Sequence, residues 1–269
     1  MKSKQNNIPK IIHYVWLGSN EKSSLIKKCM NTWKKYCPDY KFIEWNEQNI
    51  SEIDSVFLQE ALKLKYWAFA SDVIRLYALK TYGGIYLDTD VEITSSIDHF
   101  LNLNFFGSLE KGNTPATSFI GSQKNDPLIS KLYEYYIDRH FIINSKPDLT
   151  TNPNIFRDII SIEFPDILSI KDPATKLDLG DSRILFPYYY FSRKRKHFPN
   201  YAIHHFSGSW VPRDKTFIKK IYKIGSFELW ATHSQRKAEY PPKFDKSIKV
   251  LISMPFSPRR RLYLIRTIL

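Results

Sequence analysis

The chain is poor in cysteine, poor in acid relative to base, and devoid of long apolar runs. Its 269 residues include two cysteines, Cys29 and Cys37, and neither stands in a Cys-x-x-Cys pair or a metal-ligand cluster. That excludes a disulfide scaffold, and both side chains read as reduced structural thiols. No run approaches the roughly 18–20 apolar residues that span a bilayer, and no signal-peptide core precedes Ile8. A cytoplasmic protein without a transmembrane anchor is expected. Internal repeats and low-complexity linkers are absent as well. Asp and Glu number 27 against 40 Lys and Arg, a net charge of +13, so partners of negative charge have to be considered.

What is present suffices for one sizeable core, since 43% of residues are apolar and 15% aromatic. A strand is expected at residues 10–15. It leads to a helix capped by Ser23-Ser24, with an amphipathic pattern at Leu25, Cys29, Trp33 and Tyr36 and a break at Pro38 and Asp39. Residues 40–45 read as a second strand, and 56–64 and 66–80 as helices. This order implies an α/β fold with a mostly parallel central sheet covered by helices. Further strands are expected at 104–109 and 117–121 and a helix at 127–137. Residues 140–200 read as short helices and loops, where contacts to a partner commonly vary.

The densest chemistry lies in Tyr82-Gly83-Gly84-Ile85-Tyr86-Leu87-Asp88-Thr89-Asp90, an apolar run that ends in two carboxylates one residue apart. On a strand, Asp88 and Asp90 project to one side and can share a divalent cation if a cleft lies beyond the strand end. An Asp-x-Asp alone more often marks two exposed carboxylates, so its setting decides. Upstream, Ala68, Ala70, Val73, Ile74, Ala78 and Leu79 give the 66–80 helix its apolar faces, and Gly83-Gly84 stops it. Three-residue spacing puts Asp72 and Arg75 on one face. As an exposed pair they contribute only about 0.2–0.5 kcal/mol; facing a cleft, they can hold the hydroxyls of a polar ligand. Tyr86 alternates with Asp88 and faces the same way, although a strand tyrosine is commonly just half buried. Trp16 reads equally as core or as a ring that stacks on a base. His204 and His205 point to opposite sides of their strand, so at most one meets a metal held by the acids. Ser209 and Trp210 offer a hydroxyl and an indole N–H to a phosphate, or else plug a sheet edge.

The combination Ala70-Ser71-Asp72-x-x-Arg75, then Tyr82 through Asp88-x-Asp90, resembles the sugar-nucleotide core of glycosyltransferase family 32, with its DXD sugar-binding region, and that of the large clostridial glucosylating toxins. Two further segments are similar in the same order: Ile8-Pro9-Lys10-Ile11-Ile12-His13-Tyr14-Val15-Trp16-Leu17-Gly18, and Ala202-Ile203-His204-His205-Phe206-Ser207-Gly208-Ser209-Trp210. The resemblance implies a GT-A type nucleotide-sugar domain, with Mn2+ or Mg2+ on Asp88, Asp90 and His205. It implies a UDP-sugar donor held by Val15, Trp16, Asp72, Arg75, Tyr86, Asp88, Ser209 and Trp210, and a catalytic set of Asp72, Arg75, Asp88 and Asp90. The expected reaction is hexose transfer to a saccharide acceptor with retained anomeric configuration, in bacterial surface polysaccharide or capsule synthesis. No residue stands out as a covalent nucleophile, which favours front-face attack. One departure concerns the acceptor side: where many members have Thr-Gly-Pro, this chain has Thr151-Asn152-Pro153. Asparagine tolerates left-handed backbone, so the turn is expected to survive.

The tail holds about half of the excess charge: Lys243, Lys246, Lys249, Arg259, Arg260, Arg261 and Arg266 against Asp245. Interleaved apolar residues suit an anionic membrane surface, and equally an ordinary basic helix packed on the domain. Residues 1–238 are expected to form the catalytic domain and 239–269 a basic helical extension. A peripheral enzyme on the inner face of the membrane, with a lipid-linked saccharide as acceptor, fits that reading. Arg193-Lys194-Arg195-Lys196 is a second basic cluster; no nucleic-acid motif accompanies it, so no nucleic acid is expected as partner. Two rivals remain. One is a metal-dependent nucleotidyltransferase or phosphotransferase, which also uses paired carboxylates. The other is an inactive, basic membrane-binding protein on a transferase core, against which the intact Asp72, Arg75, Asp88 and Asp90 argue.

Overall fold

The computed structural model describes residues 7–207, 219–224, 227–233, 248–253 and 261–265. The chain divides into two compact units, Met1–Ser207 and Gly208–Leu269. In the first, β1 (Ile11–Val15) leads to α1 (Ser24–Tyr36), whose first turn is capped by the Ser23 hydroxyl accepting from Ile26 N–H. Then come β2 (Lys41–Trp45), α2 (Val56–Lys63), α3 (Trp67–Tyr82), β3 (Gly84–Leu87) and β4 (Val91–Ile93). They are followed by β5 (Phe105–Lys111), β6 (Thr114–Pro115), β7 (Phe119–Ser122) and α4 (Pro127–Ile137). A small hairpin, β8 (Ile142–Ile143) and β9 (Lys146–Pro147), precedes α5 (Asn152–Glu163), β10 (Leu177–Asp178), β11 (Arg183–Phe186) and β12 (Ala202–His204).

The central sheet has the order β10-β11-β5-β7-β3-β1-β2. β2, β1, β3, β5 and β11 run one way, and β7 and β10 run against them. The chain lays β2 on one side of β1 and β3 on the other, which makes the gap between β1 and β3 a topological switch point. Ligands of open α/β sheets bind outside the carboxyl ends of the strands at such a point. Continuing the register His13↔Tyr86 by two residues brings Val15 level with Asp88 there.

Period-2 alternation feeds two cores, one on each face. Tyr86, Phe105 and Ile120 pack with the apolar stripes of α2, α3, α4 and α5. Their sequence neighbours Ile85, Leu87, Phe106 and Phe119 pack on the other face with Trp33 and Cys37. Burial pushes the Cys29 thiol up to about 11 and Cys37 to about 12, as inert, unbridged thiols require. The turn from α3 into β3 depends on Gly83 (φ 65) and Gly84 (φ 108); a Cβ on Gly84 would stand 2.6 Å from the Ile11 carbonyl.

The second unit is an antiparallel sheet of β13 (Lys219–Ile224), β14 (Phe227–His233), β15 (Ile248–Ser253) and β16 (Arg261–Ile265). The basic helical extension expected over 239–269 is thereby corrected: its described residues are strands. Ile248, Val250 and Ile252 are β-branched and alternate, and apolar runs this short do not distinguish helix from strand by period. The expected boundary after residue 238 falls between β14 and β15, which pair with each other.

His13 joins the turn to the sheet. Its Nε2 lies 2.8 Å from the Gly83 carbonyl, and its Nδ1 accepts from Trp45 Nε1–H at 3.2 Å, so the neutral ring with its proton on Nε2 satisfies both. Burial pushes its pKa down to about 4. Because the folded value lies below the unfolded 6.5, the stability tied to the neutral ring is complete above pH 6.5 and is lost as pH falls toward 4, a loss on the order of 3 kcal/mol. His13→Gln should therefore be less stable than wild type at pH 7, with the gap closing by pH 4.5. Urea unfolding at both pH values tests this; a gap independent of pH would contradict it.

Candidate active site

The carboxyl end of β3 delivers Asp88, whose N–H donates to the Ser118 carbonyl at 2.9 Å. The chain then turns at once, with Val91 N–H donating to the Asp88 carbonyl at 3.0 Å. Asp88 and Asp90 thus converge through a tight turn, whereas strand alternation was the expected cause.

Each carboxylate commits one oxygen to the protein. Asp88 Oδ1 accepts from the Tyr86 hydroxyl at 3.0 Å and from Arg75 at 3.3 Å, and Asp90 Oδ2 accepts from Ser207 N–H at 2.7 Å. The other oxygens face a common point with His204, whose Nε2 is 3.3 Å from Asp90 Oδ1 and 4.0 Å from Asp88 Oδ2. One ligand atom from each of the three lies within 4.8 Å of the others. Ligands around an octahedral cation at about 2.1 Å stand about 3–4 Å apart, so two carboxylates and an imidazole at this spacing fit Mg2+ or Mn2+. Burial alone would raise the Asp90 carboxyl, but His204 and Ser207 N–H outweigh it and hold its pKa at about 2. The reverse contest leaves His204 raised: burial lowers it, and Asp90 and Asp88 more than compensate.

His205, the residue expected at the metal, is elsewhere. Antiparallel pairing sets Ile203 opposite Glu92 and His204 opposite Val91, so alternation carries His205 to the Glu92 face, where its Nε2 is 2.9 Å from Glu92 Oε2. The geometry substitutes His204.

Asp72 and Arg75 project from α3 toward the same place. Arg75 lies 3.2 Å from Asp72 Oδ1, donates to the Thr117 carbonyl at 3.2 Å, and stands over the Tyr86 ring, 4.6 Å from its centroid. Its side chain is 5% exposed and that of Asp72 12%, so the pair is held out of water. Burial pushes the Asp72 carboxyl up to about 7 against the pull of Arg75. Tyr86 is buried, and only its hydroxyl reaches the acids. Trp16 follows β1, half-buried, with its indole N–H on the Asn20 carbonyl at 2.8 Å and Lys22 over its ring. Val15 is half-buried at the strand end. Ser209 and Trp210 lie outside the described residues.

Two neighbours escaped the sequence reading. Tyr136, fully buried on α4, lies within the electrostatic reach of Asp72 and Arg75, and Asn152 Nδ2 donates to its hydroxyl at 2.9 Å. Thr151-Asn152-Pro153 opens α5 instead of forming a left-handed turn. Glu110, at the end of β5, senses His204, Arg193 and Asp88, and burial raises its pKa. Only tertiary placement reveals Tyr136 and Glu110.

Residues 23–106 match the family described as "Glycosyltransferase sugar-binding region containing DXD motif", and the match covers Asp72, Arg75, Asp88 and Asp90. The protein is a glycosyltransferase. It is 28% identical over 236 residues to an uncharacterized glycosyltransferase, L373, of Acanthamoeba polyphaga mimivirus, covering 81% of this chain and 90% of that one. It is 26% identical over 145 residues to inositol phosphoceramide mannosyltransferase 3 of Schizosaccharomyces pombe, covering 50% and 40% respectively. Among solved structures, the PaToxG glycosyltransferase aligns over 60% of this chain and 73% of its own, at 21% identity and a TM-score of 0.47.

In this glycosyltransferase, removing Arg75 strands a buried carboxylate. Arg75→Met should cost about 3–5 kcal/mol of stability, and the double variant with Asp72→Asn should cost less than the two single changes added together. Unfolding free energies of the four proteins check this, and strict additivity would contradict it.

Proposed function

We propose that this glycosyltransferase moves a hexose from a nucleotide sugar, a UDP-sugar on the resemblance, to a hydroxyl of a saccharide or polyol acceptor, with retention of configuration. The convergence of Asp88 Oδ2, Asp90 Oδ1 and His204 Nε2 beside the buried Asp72–Arg75 pair supports this reading best. Those three atoms would hold Mg2+ or Mn2+; when bound, the cation offsets the negative charge that builds on the departing diphosphate. The chain's own residues do the rest. Arg75 and the Tyr86 hydroxyl fix Asp88, so its free oxygen keeps one direction. Asp72 and Arg75 meet the donor hydroxyls and orient the ring, which leaves one face of the anomeric carbon for the acceptor. On the resemblance, Ser209 and Trp210 are proposed as donors to the diphosphate.

The lipid mannosyltransferase among the relatives, named for a phosphoinositol ceramide, favours a lipid-borne polyol as acceptor over the capsular saccharide of the first reading. The unit Met1–Ser207 holds every described residue assigned to donor chemistry, and the basic residues over 239–269 are proposed to contact a membrane.

Asp90→Asn removes a ligand charge without changing volume. It should abolish most nucleotide release from UDP- or GDP-sugars while leaving the protein folded, as an unchanged far-UV circular dichroism spectrum at 25 °C would show. Chelation should do the same to the wild type, and Mn2+ or Mg2+ should restore it. Full turnover in excess EDTA would show that the acids are structural, and release of pyrophosphate in place of a nucleoside diphosphate would point to nucleotidyl transfer.

A further inference from the structure

Four consecutive cations, Arg193, Lys194, Arg195 and Lys196, are all exposed, and none is within ion-pair distance of a carboxylate among the described residues. Two of them rest on rings. The Arg193 guanidinium lies 4.7 Å from the centroid of Phe206, and that of Arg195 lies 4.3 Å from Phe198 and 5.6 Å from Tyr189. A guanidinium supported on a ring keeps its N–H edge free for the oxygens of a phosphate, and little of its freedom is left to lose on binding.

The loop is fastened to the proposed metal site. His204 N–H donates to the Ser192 carbonyl at 2.8 Å, and the Phe206 ring lies 4.0 Å from the His204 ring. Arg193, Phe206, His204 and Asp90 thus form a continuous row from the cations to the acids. Phe198 and Phe206 remain 43% and 41% exposed. Neighbouring groups already engage these rings, Arg195 over Phe198, and Arg193 and His204 against Phe206. They are therefore poor platforms for stacked bases, whereas aromatic groups among cations suit the headgroup boundary of a bilayer.

We propose that residues 193–198, with Phe206, form the docking surface for the phosphate-bearing headgroup of an anionic lipid acceptor, and present its hydroxyl to the donor beside Asp88 and Asp90. The proposal deepens the transferase reading and rests on it. Phosphate neutralises Lys194, Arg195 and Lys196, Phe198 and Phe206 enter the boundary beside it, and the His204 row sets the headgroup next to the donor.

The test is co-sedimentation of the full chain with vesicles of phosphatidylcholine alone or mixed with phosphatidylinositol, alongside nucleotide release by the same preparations. Wild type should bind only the mixed vesicles. Lys194→Ala/Arg195→Ala/Lys196→Ala should lower binding about a hundredfold, the sum expected for three cations near an anionic surface. Lys27→Ala/Lys34→Ala/Lys35→Ala, which removes the same charge from the exposed side of α1, should lower it far less. Equal loss in both variants, or none in the first, overturns the proposal. So does loop-dependent binding of polyuridylate by protein that ignores the vesicles. Wild type that releases nucleotide yet binds neither vesicle overturns the docking surface and leaves the transferase reading standing. Loop-dependent vesicle binding without nucleotide release from UDP- or GDP-sugars supports the docking surface and sinks the proposed donor.

Discussion

A guanidinium held between two carboxylates is the constraint on which the site depends. Arg75 comes from the middle of a helix, Asp72 from one turn earlier, and Asp88 from the end of the next strand. Burying these charges costs several kcal/mol per ion unless each keeps its partners. The fold therefore has to hold α3 and β3 in one alignment, and it does so with the Gly83-Gly84 turn, the His13 bridge to that turn, and the Tyr86 ring beneath the guanidinium. Stability and the orientation of Asp88 are set by the same contacts.

The outer part of the site is assembled differently. His204 arrives on a strand more than a hundred residues after the acids and is held through β12 pairing with β4. Ser207 N–H occupies one oxygen of Asp90, so the segment that supplies the histidine also aims the carboxylate. Fixing the first acid from the helix side and the second from the late strand leaves between them a gap faced by Asp88 Oδ2, Asp90 Oδ1 and His204 Nε2.

Local order was legible in the sequence wherever one physical rule acted alone. Ser23 caps α1 because its hydroxyl reaches a free N–H, Pro38 follows the helix end, and the alternation of Ile85, Tyr86 and Leu87 sorts them onto two faces. Asp72 and Arg75, and Asp88 and Asp90, stand together as their short spacing implied, the second pair through a turn instead of strand alternation. The choice between His204 and His205 was not legible, because it depends on the face that β12 turns toward β4, and no local pattern carries that register. Residues 248–253 and 261–265 failed as helix because runs of five or six apolar and basic residues fit either period, and the pairing of the first with β14 and of the second with the first decided between them. Asn152 meets Tyr136 across α4 and α5, a contact without any sequence signal.

The alternation of β3 has a further consequence for how this enzyme can diverge. Ile85 and Leu87 belong to one core and Tyr86 to the other, and Asp88 follows directly. Inserting or deleting one residue between Gly84 and Asp88 would exchange the two sets of side chains, push an aromatic ring into the wrong layer and rotate the acid away from Arg75. Length in this segment is as constrained as side-chain identity. Variation in chain length is therefore channelled to segments that cross neither core, such as the exposed loop over residues 193–199, where the partner of the enzyme can change without the donor chemistry being disturbed.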